Sequence, residues 1–234
     1  MNILGQKNQK IALFILIMSQ FFSYFLFAND LDAVLFLSNK VIGSNTDWRF
    51  SGEYQVRLND NISSLKEHYF EGVASYLPNE RWEIVPDFRV TVKPERLEFR
   101  PGIGLIHKTV WGKKIFLHQL VNQVKWQTDI ESTGIVKHGL RYALFYNYVF
   151  DKKWMFISGG GILYRFSDAY DGFQYVRFFA GLGYQIASDL FLNVNYYLGL
   201  EDPFGAITYE TGPMINLVIR LKNNTKYLPA RYIN

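Results

Sequence analysis

Four histidines, His68, His107, His118 and His138, are the natural general bases of a chain that contains no cysteine. Without Cys there is no thiol nucleophile, thiolate metal site or disulfide. No two histidines stand four apart around a glutamate, the spacing that puts two zinc ligands on one helix face. His107 and His138 fall in the outward register of their strands, and strand tilt could bring them near Ser132 and Thr133. A lipid-facing His–Ser pair attacking an ester is the one catalytic arrangement this offers. The simpler reading is four interfacial or solvated histidines. The runs Gly102-Ile103-Gly104 and Gly159-Gly160-Gly161 lack the Lys-Ser/Thr offset and following helix of a phosphate loop, and read as strand glycines. Asp168, Asp171, Glu201 and Asp202 read as solvated loop acids before they read as a divalent-cation site. The sequence therefore names no catalytic, metal or cofactor-binding residue and implies no cofactor.

The more abundant chemistry is ionic. Arg49, Glu53, Arg57, Asp87, Arg89, Arg96, Glu98, Arg100, Arg141, Arg177, Glu210 and Arg220 form one expected charged face, extended by Glu71, Arg81, Glu83, Lys125 and Arg165. They alternate with apolar residues at period two, the signature of two-faced strands. Trp48, Phe50, Tyr54, Val56 and Leu58 oppose Arg49, Glu53, Gln55 and Arg57; Leu97, Phe99, Ile103 and Leu105 oppose Arg96, Glu98 and Arg100. Such strands run at 47–58, 67–77, 81–92, 96–107, 114–127, 136–150, 153–166, 173–186, 190–200 and 207–221, ten in all. A strand with one apolar and one charged face lies between two different solvents.

Composition narrows which solvents these are. Of 234 residues, 49% are hydrophobic and 18% aromatic, yet mean hydropathy is only −0.05, which excludes a bundle of apolar helices of about 20 residues each. Residues 1–28 read as a signal peptide: Lys7 and Lys10, the apolar block Ile11 to Phe27, then Ala28 before a polar pair. Those lysines account for half of the formal charge of +4, so the basic balance is no argument for nucleic acid. Residues 29–46 show a helical period, with Asp30 as N-cap and Gly43 as stop, and are expected to form a short helix; the same stretch could be another strand, which would make eleven unless a twelfth exists. The barrel then spans 47–221, and 222–234 is a polar C-terminal tail.

Strands of this length with an apolar face must close on themselves in lipid, where no edge can stay unpaired. The expected fold is an all-β, closed antiparallel transmembrane β-barrel of about ten strands, with twelve as the alternative. Trp48, Trp82 and Trp154 fall at one end of their strands and Trp126 at the other, as members of two aromatic girdles. The end carrying Trp48 is the near, periplasmic side, where turns are expected to be short; longer loops are expected on the far side. A soluble exported β-sandwich or ligand-binding barrel would show the same alternation and remains the competing architecture.

Trp48, Glu53, Arg57, the run Glu98-Phe99-Arg100-Pro101-Gly102-Ile103-Gly104 and the pattern ending Gly212 to Leu221 resemble a bacterial family of small outer-membrane β-barrels catalogued as a domain of unknown function. The resemblance covers roughly residues 45 to 221 and implies location and fold, with no catalytic residues. Glu210, Gly212, Ile215 and Leu217 are separately similar to the last-strand signal read by the barrel-assembly machinery. The expected partners are that machinery, outer-membrane lipids and lipopolysaccharide. The expected role is a non-enzymatic outer-membrane barrel, structural or a narrow pore with a salt-bridged lumen. The alternative within the membrane is a barrel enzyme acting on lipids.

Overall fold

Successive residues of a strand point to opposite faces, so a sheet of alternating strands buries one face and frees its edges only by curling shut. The computed structural model describes residues 31–113, 115–167, 171–203 and 207–231, and shows such closure within the unit Asp32–Asn234. Its strands are β1 (Leu31–Ala33), β2 (Leu35–Thr46), β3 (Trp48–Asn59), β4 (Ser64–Tyr76), β5 (Trp82–Lys93), β6 (Arg96–Trp111), β7 (Leu117–Glu131), β8 (Val136–Val149), β9 (Trp154–Phe166), β10 (Gly172–Gln185), β11 (Leu190–Glu201) and β12 (Thr208–Thr225). β1 and β2 both lie along β12, interrupted at Val34, so the ring has eleven strands, β2 to β12. Each chain-adjacent pair from β2–β3 to β11–β12 is antiparallel, and β12 closes onto β2 in parallel, from Met214 opposite Phe36 to Thr225 opposite Thr46. The parallel seam follows from the odd number: eleven alternating strands leave the first and last pointing the same way.

The all-β closed barrel matches the expectation; its first strand corrects the detail. Leu35–Thr46 is strand β2 and not a helix. Apolar Phe36 points inward and apolar Leu37 and Val41 outward, so the alternation is masked and a helical period emerges by coincidence. Counting β2 gives eleven strands where ten or twelve were expected. β6 also reaches Trp111, which faces His118 of β7, so the connection there is only 112–116. The expected contrast of short near-side turns and long far-side loops is absent: near-side links at 47, 77–81, 112–116, 150–153 and 186–189 resemble far-side links at 60–63, 94–95, 132–135, 167–171 and 202–207. β12 extends to Thr225, so only the part of the polar tail from Lys226 onward leaves the sheet. The signal peptide at 1–28, Asn29, Asp30, Asp168 and residues 232–234 lie outside the described residues.

Ring strands are 12 to 18 residues long, above the about 9 to 11 that a tilted strand needs to cross a bilayer. Their outward residues include Phe50 and Ile103, each 54% exposed, together with Phe70, Phe88 and Phe178. The inward positions are buried and largely polar: Glu71, Glu83, Gln123 and Asn147 are each 2% exposed or less. Closure at the seam needs Gly212, because a methyl group there would overlap the Val34 carbonyl.

The 60–63 turn holds Asp60, Asn61 and Ile62 at positive φ, of 49°, 57° and 67°. Asp and Asn tolerate this conformation, whereas a β-branched side chain is crowded in it. The turn is held by Ile62 N donating to Ala33 O at 3.1 Å and Asn61 N donating to Asp32 Oδ1 at 3.1 Å. Ile62 is exposed and contributes little packing that would offset the strain. Replacing Ile62 with Gly is expected to raise unfolding stability by about 1 kcal/mol, read as a higher urea midpoint of the folded barrel at unchanged slope.

Candidate functional site

The interior is organised by strand register into layers of charge. At the near end Glu83 is completely buried between two cations: Lys108 Nζ at 2.9 Å from Oε1 and Arg49 NH2 at 3.2 Å from Oε2. Midway, Glu71 faces Arg89 across the β4–β5 pair and receives it at 3.0 Å, with Arg100 of β6 donating to the same Oε1 at 3.1 Å. Asp87 pairs with Lys125 at 2.6 Å, and Glu53 with Lys40 at 3.2 Å. The Lys125–Asp87 pair spans β6 above Gly102. A Cβ at Gly102 would stand 2.7 Å from Lys125 Cε and 2.9 Å from Asp87 Oδ1, so this glycine is the gap through which the pair meets.

Toward the far end the pairs continue with Arg57–Glu67 at 2.8 Å, Lys93–Glu98 at 2.7 Å, Arg96–Glu131 at 3.3 Å and Arg177–Glu201 at 2.7 Å. Lys66–Glu210 and Arg165–Asp129 are in direct contact. Aromatic rings share the work of holding guanidinium groups: Arg89 lies 3.7 Å from the Tyr69 ring centre and Arg177 3.7 Å from that of Tyr175. Arg220 lies 4.0 Å from the Phe191 ring centre. Arg141 reaches only Gln123 Oε1, at 3.4 Å, and among the described residues it has no carboxylate partner.

Two cavities occupy the interior. The far one, of about 170 Å³, is lined by Arg57, Arg89, Lys93, Arg100, Arg141, Arg165 and Arg177 against Glu67 and Glu98. Phe36, Phe145, Phe179, Tyr197 and Met214 supply its apolar wall. The near one, of about 140 Å³, carries Lys40, Arg49, Arg220 and Arg231 against Glu53, and part of its wall is residues 228–231, beyond β12. Arg231 forms no ion pair among the described residues, and burial alone pushes its guanidinium below the ordinary range. Both cavities are therefore walled by more positive than negative side chains.

Most of the expected charged set lies on this inner face: Arg49, Glu53, Arg89, Arg100, Arg141 and Glu210 are buried, with Arg57, Asp87, Arg96, Glu98, Arg177 and Arg220 partly so. Arg81 differs. It sits exposed at the end of the 77–81 turn, 3.9 Å from Glu80, because β5 begins one residue later. Lys108, an interior cation on the near-side extension of β6, escaped the sequence reading, which ended that strand at residue 107. Trp48, Trp82, Trp126 and Trp154 are each 40% to 45% exposed on the outer face. At the near rim Trp48 meets Tyr76 at 5.0 Å, Trp82 meets His107 at 4.7 Å and Trp154 meets Tyr184 at 4.6 Å, and Trp111, not anticipated there, stacks on His118 at 5.2 Å.

All four histidines point outward, since each is followed in sequence by a buried residue. His118 Nδ1 is 2.7 Å from Tyr146 Oη, His68 Nδ1 is 3.5 Å from Tyr54 Oη, and His138 Nδ1 is 3.0 Å from Thr128 Oγ1. Ser132 instead accepts from Leu97 N at 3.2 Å, and Thr133 donates to Glu131. The His–Ser pairing weighed from sequence is not among these contacts.

Solved structures with this architecture include a NanC porin, at TM-score 0.51 and 13% identity, covering 81% of this chain and 99% of that one. A KdgM porin covers 70% and 80% at TM-score 0.42 and 16% identity, and KdgM in complex with disordered oligogalacturonate covers 74% and 84% at 0.44 and 16%. At such identities the likeness is one of fold: the chain is a porin-like β-barrel. No protein of curated function matches the sequence. Residues 35–206 match the sequence profile described as Protein of unknown function (DUF2490), and the chain belongs to that family.

Proposed function

We propose that this protein is a non-enzymatic outer-membrane barrel forming a narrow pore that prefers small anions. The observation that carries the reading is the far cavity, where seven cationic side chains face two carboxylates and Arg141 has no carboxylate partner among the described residues. Rings of Arg and Lys set anion preference in narrow pores through the local field, which a low-dielectric wall concentrates. Ion pairs that consume most acids of the lumen leave the surplus cations to set its sign. The outward face supports a lipid setting, with apolar strand centres and aromatic residues at the strand ends. Lipid and lipopolysaccharide solvate that face, and Glu210, Gly212, Ile215 and Leu217 of β12 carry the assembly signal. A non-catalytic role is supported by histidines held against aromatic rings and hydroxyls of the outer wall, away from the interior cavities.

In a planar bilayer with a salt gradient, the reversal potential is expected to fall on the anion-selective side, and Arg141→Glu to move it toward cation selectivity; cation selectivity of the unaltered chain would refute the reading. The lipid-facing assignment has its own test at Ile103, near the middle of β6. Ile103→Arg is expected to cost about 2 to 4 kcal/mol in urea unfolding from lipid vesicles, whereas a water-facing site would tolerate it within about 0.5 kcal/mol.

A further inference from the structure

A polar lumen has no use for an aliphatic patch, yet this one contains such a patch at its near end. Val73, Val85, Ile106 and Val121 point inward from four consecutive strands, β4 to β7, and are 6%, 1%, 0% and 0% exposed. Apolar surface facing water costs roughly 25 cal/mol per Å², so such a patch in a purely water-filled channel would be a loss. Ala230, itself 2% exposed, packs in the same cluster, which continues through Ala143 and Phe145 of β8 to Phe179. Ala230 belongs to the segment that leaves β12 at Lys226 and turns back into the barrel.

The wall meets the main chain of this segment group by group. Gln119 Nε2 donates to Pro229 O at 3.1 Å, and Gln119 Oε1 accepts from Arg231 N at 2.7 Å, so one amide side chain grips the residues on either side of Ala230 as a neighbouring strand would. Glu83 Oε1 accepts from Ala230 N at 2.5 Å, Arg49 NH1 donates to Ala230 O at 2.6 Å, and Asn147 Nδ2 donates to Arg231 O at 2.9 Å. Every main-chain donor and acceptor from the Pro229 carbonyl to the Arg231 carbonyl thus has a side-chain partner on the barrel wall, and Pro229 has no N–H to satisfy. Glu83, held between Arg49 and Lys108, spends its remaining acceptor capacity on the segment. The socket holds a short stretch of main chain with a small side chain at its centre.

We propose that residues 226–231 are a resident plug, docked in a peptide-binding socket of the barrel's own wall, which narrows the near mouth and widens it on withdrawal. The opening half of this proposal rests on the pore reading above; the seating half does not. Because the chain has no cysteine, Ala230→Cys places a single thiol at the socket. In the folded full-length barrel it is expected to react with a bulky maleimide about tenfold or more slowly than Asp151→Cys in the exposed 150–153 turn. Ala230→Asp sets a carboxylate against the aliphatic patch and beside Glu83, and is expected to expel the plug and raise single-channel conductance about threefold or more, with heat-modifiable gel migration showing that the barrel stays folded. Labelling of Ala230→Cys as fast as the turn control overturns the plug and leaves the pore reading intact. Protection at residue 230 with no gain of conductance in folded Ala230→Asp overturns the gate and leaves the segment as a fixed part of the wall, while the pore reading stands or falls on the reversal potential alone.

Discussion

Everything in this barrel hangs on the parallel seam between β12 and β2. In hydrocarbon an unpaired strand edge leaves a row of N–H and C=O groups without partners, each at a cost of several kcal/mol, so the sheet must close. With eleven strands closure can only be parallel, and the register from Met214 opposite Phe36 to Thr225 opposite Thr46 fixes the whole circumference. Gly212 admits the Val34 carbonyl where β1 and β2 break, and the docking of the 60–63 turn onto Asp32 and Ala33 clamps the same edge from the other side. The seam also sets direction: β2 and β12 both run from the far end to the near end, so the chain leaving β12 emerges at the near mouth, where the socket stands.

Closure turns the polar faces inward, and their charges then have to be reconciled at close range. A buried carboxylate without a cation costs several kcal/mol, and so does a cation without a carboxylate. The interior answers with shared acceptors: Glu71 serves Arg89 and Arg100, Glu83 serves Arg49 and Lys108, and Glu131 serves Arg96 and Lys137. Each sharing satisfies geometry and leaves a residual positive charge. The positive surplus of the lumen is thus a by-product of how its acids are economised, and Arg141, left to Gln123, is where that surplus shows most plainly.

The sequence disclosed the fold where the two faces differ sharply and hid it where they do not. Strands such as Arg96–Trp111, with Leu97, Phe99, Ile103 and Leu105 outward, declared themselves by period two. β2 was obscured by inward Phe36 and Ile42, the first of which faces Tyr197 at 4.9 Å and so has an apolar neighbour inside the lumen. Pairing partners of the interior charges were not legible, because which acid meets which base depends on tilt and register: Lys125 reaches Asp87 across an intervening strand, through a gap that only the glycine at 102 provides. The role of the segment after β12 was beyond any local pattern, since its composition is that of an ordinary polar tail and its partners lie on β3, β5, β7 and β8.

Those partners explain why a lumen that is otherwise salt-bridged contains Val73, Val85, Ile106 and Val121. Ion pairs between side chains can fill a narrow barrel, whereas a segment of main chain needs both hydrogen-bond partners and a dry contact to stay put. Gln119, Glu83, Arg49 and Asn147 supply the first, and the aliphatic patch around Ala230 supplies the second. Either alone would be weak, since polar contacts within the lumen compete with water and one methyl group buries little area. Together they give the near end a seat of limited strength, held by three residues of chain, while the far cavity keeps its cations free of any such cover. The two ends of the same lumen therefore differ in construction: the far end is lined by surplus cations, and the near end holds a piece of the chain's own backbone.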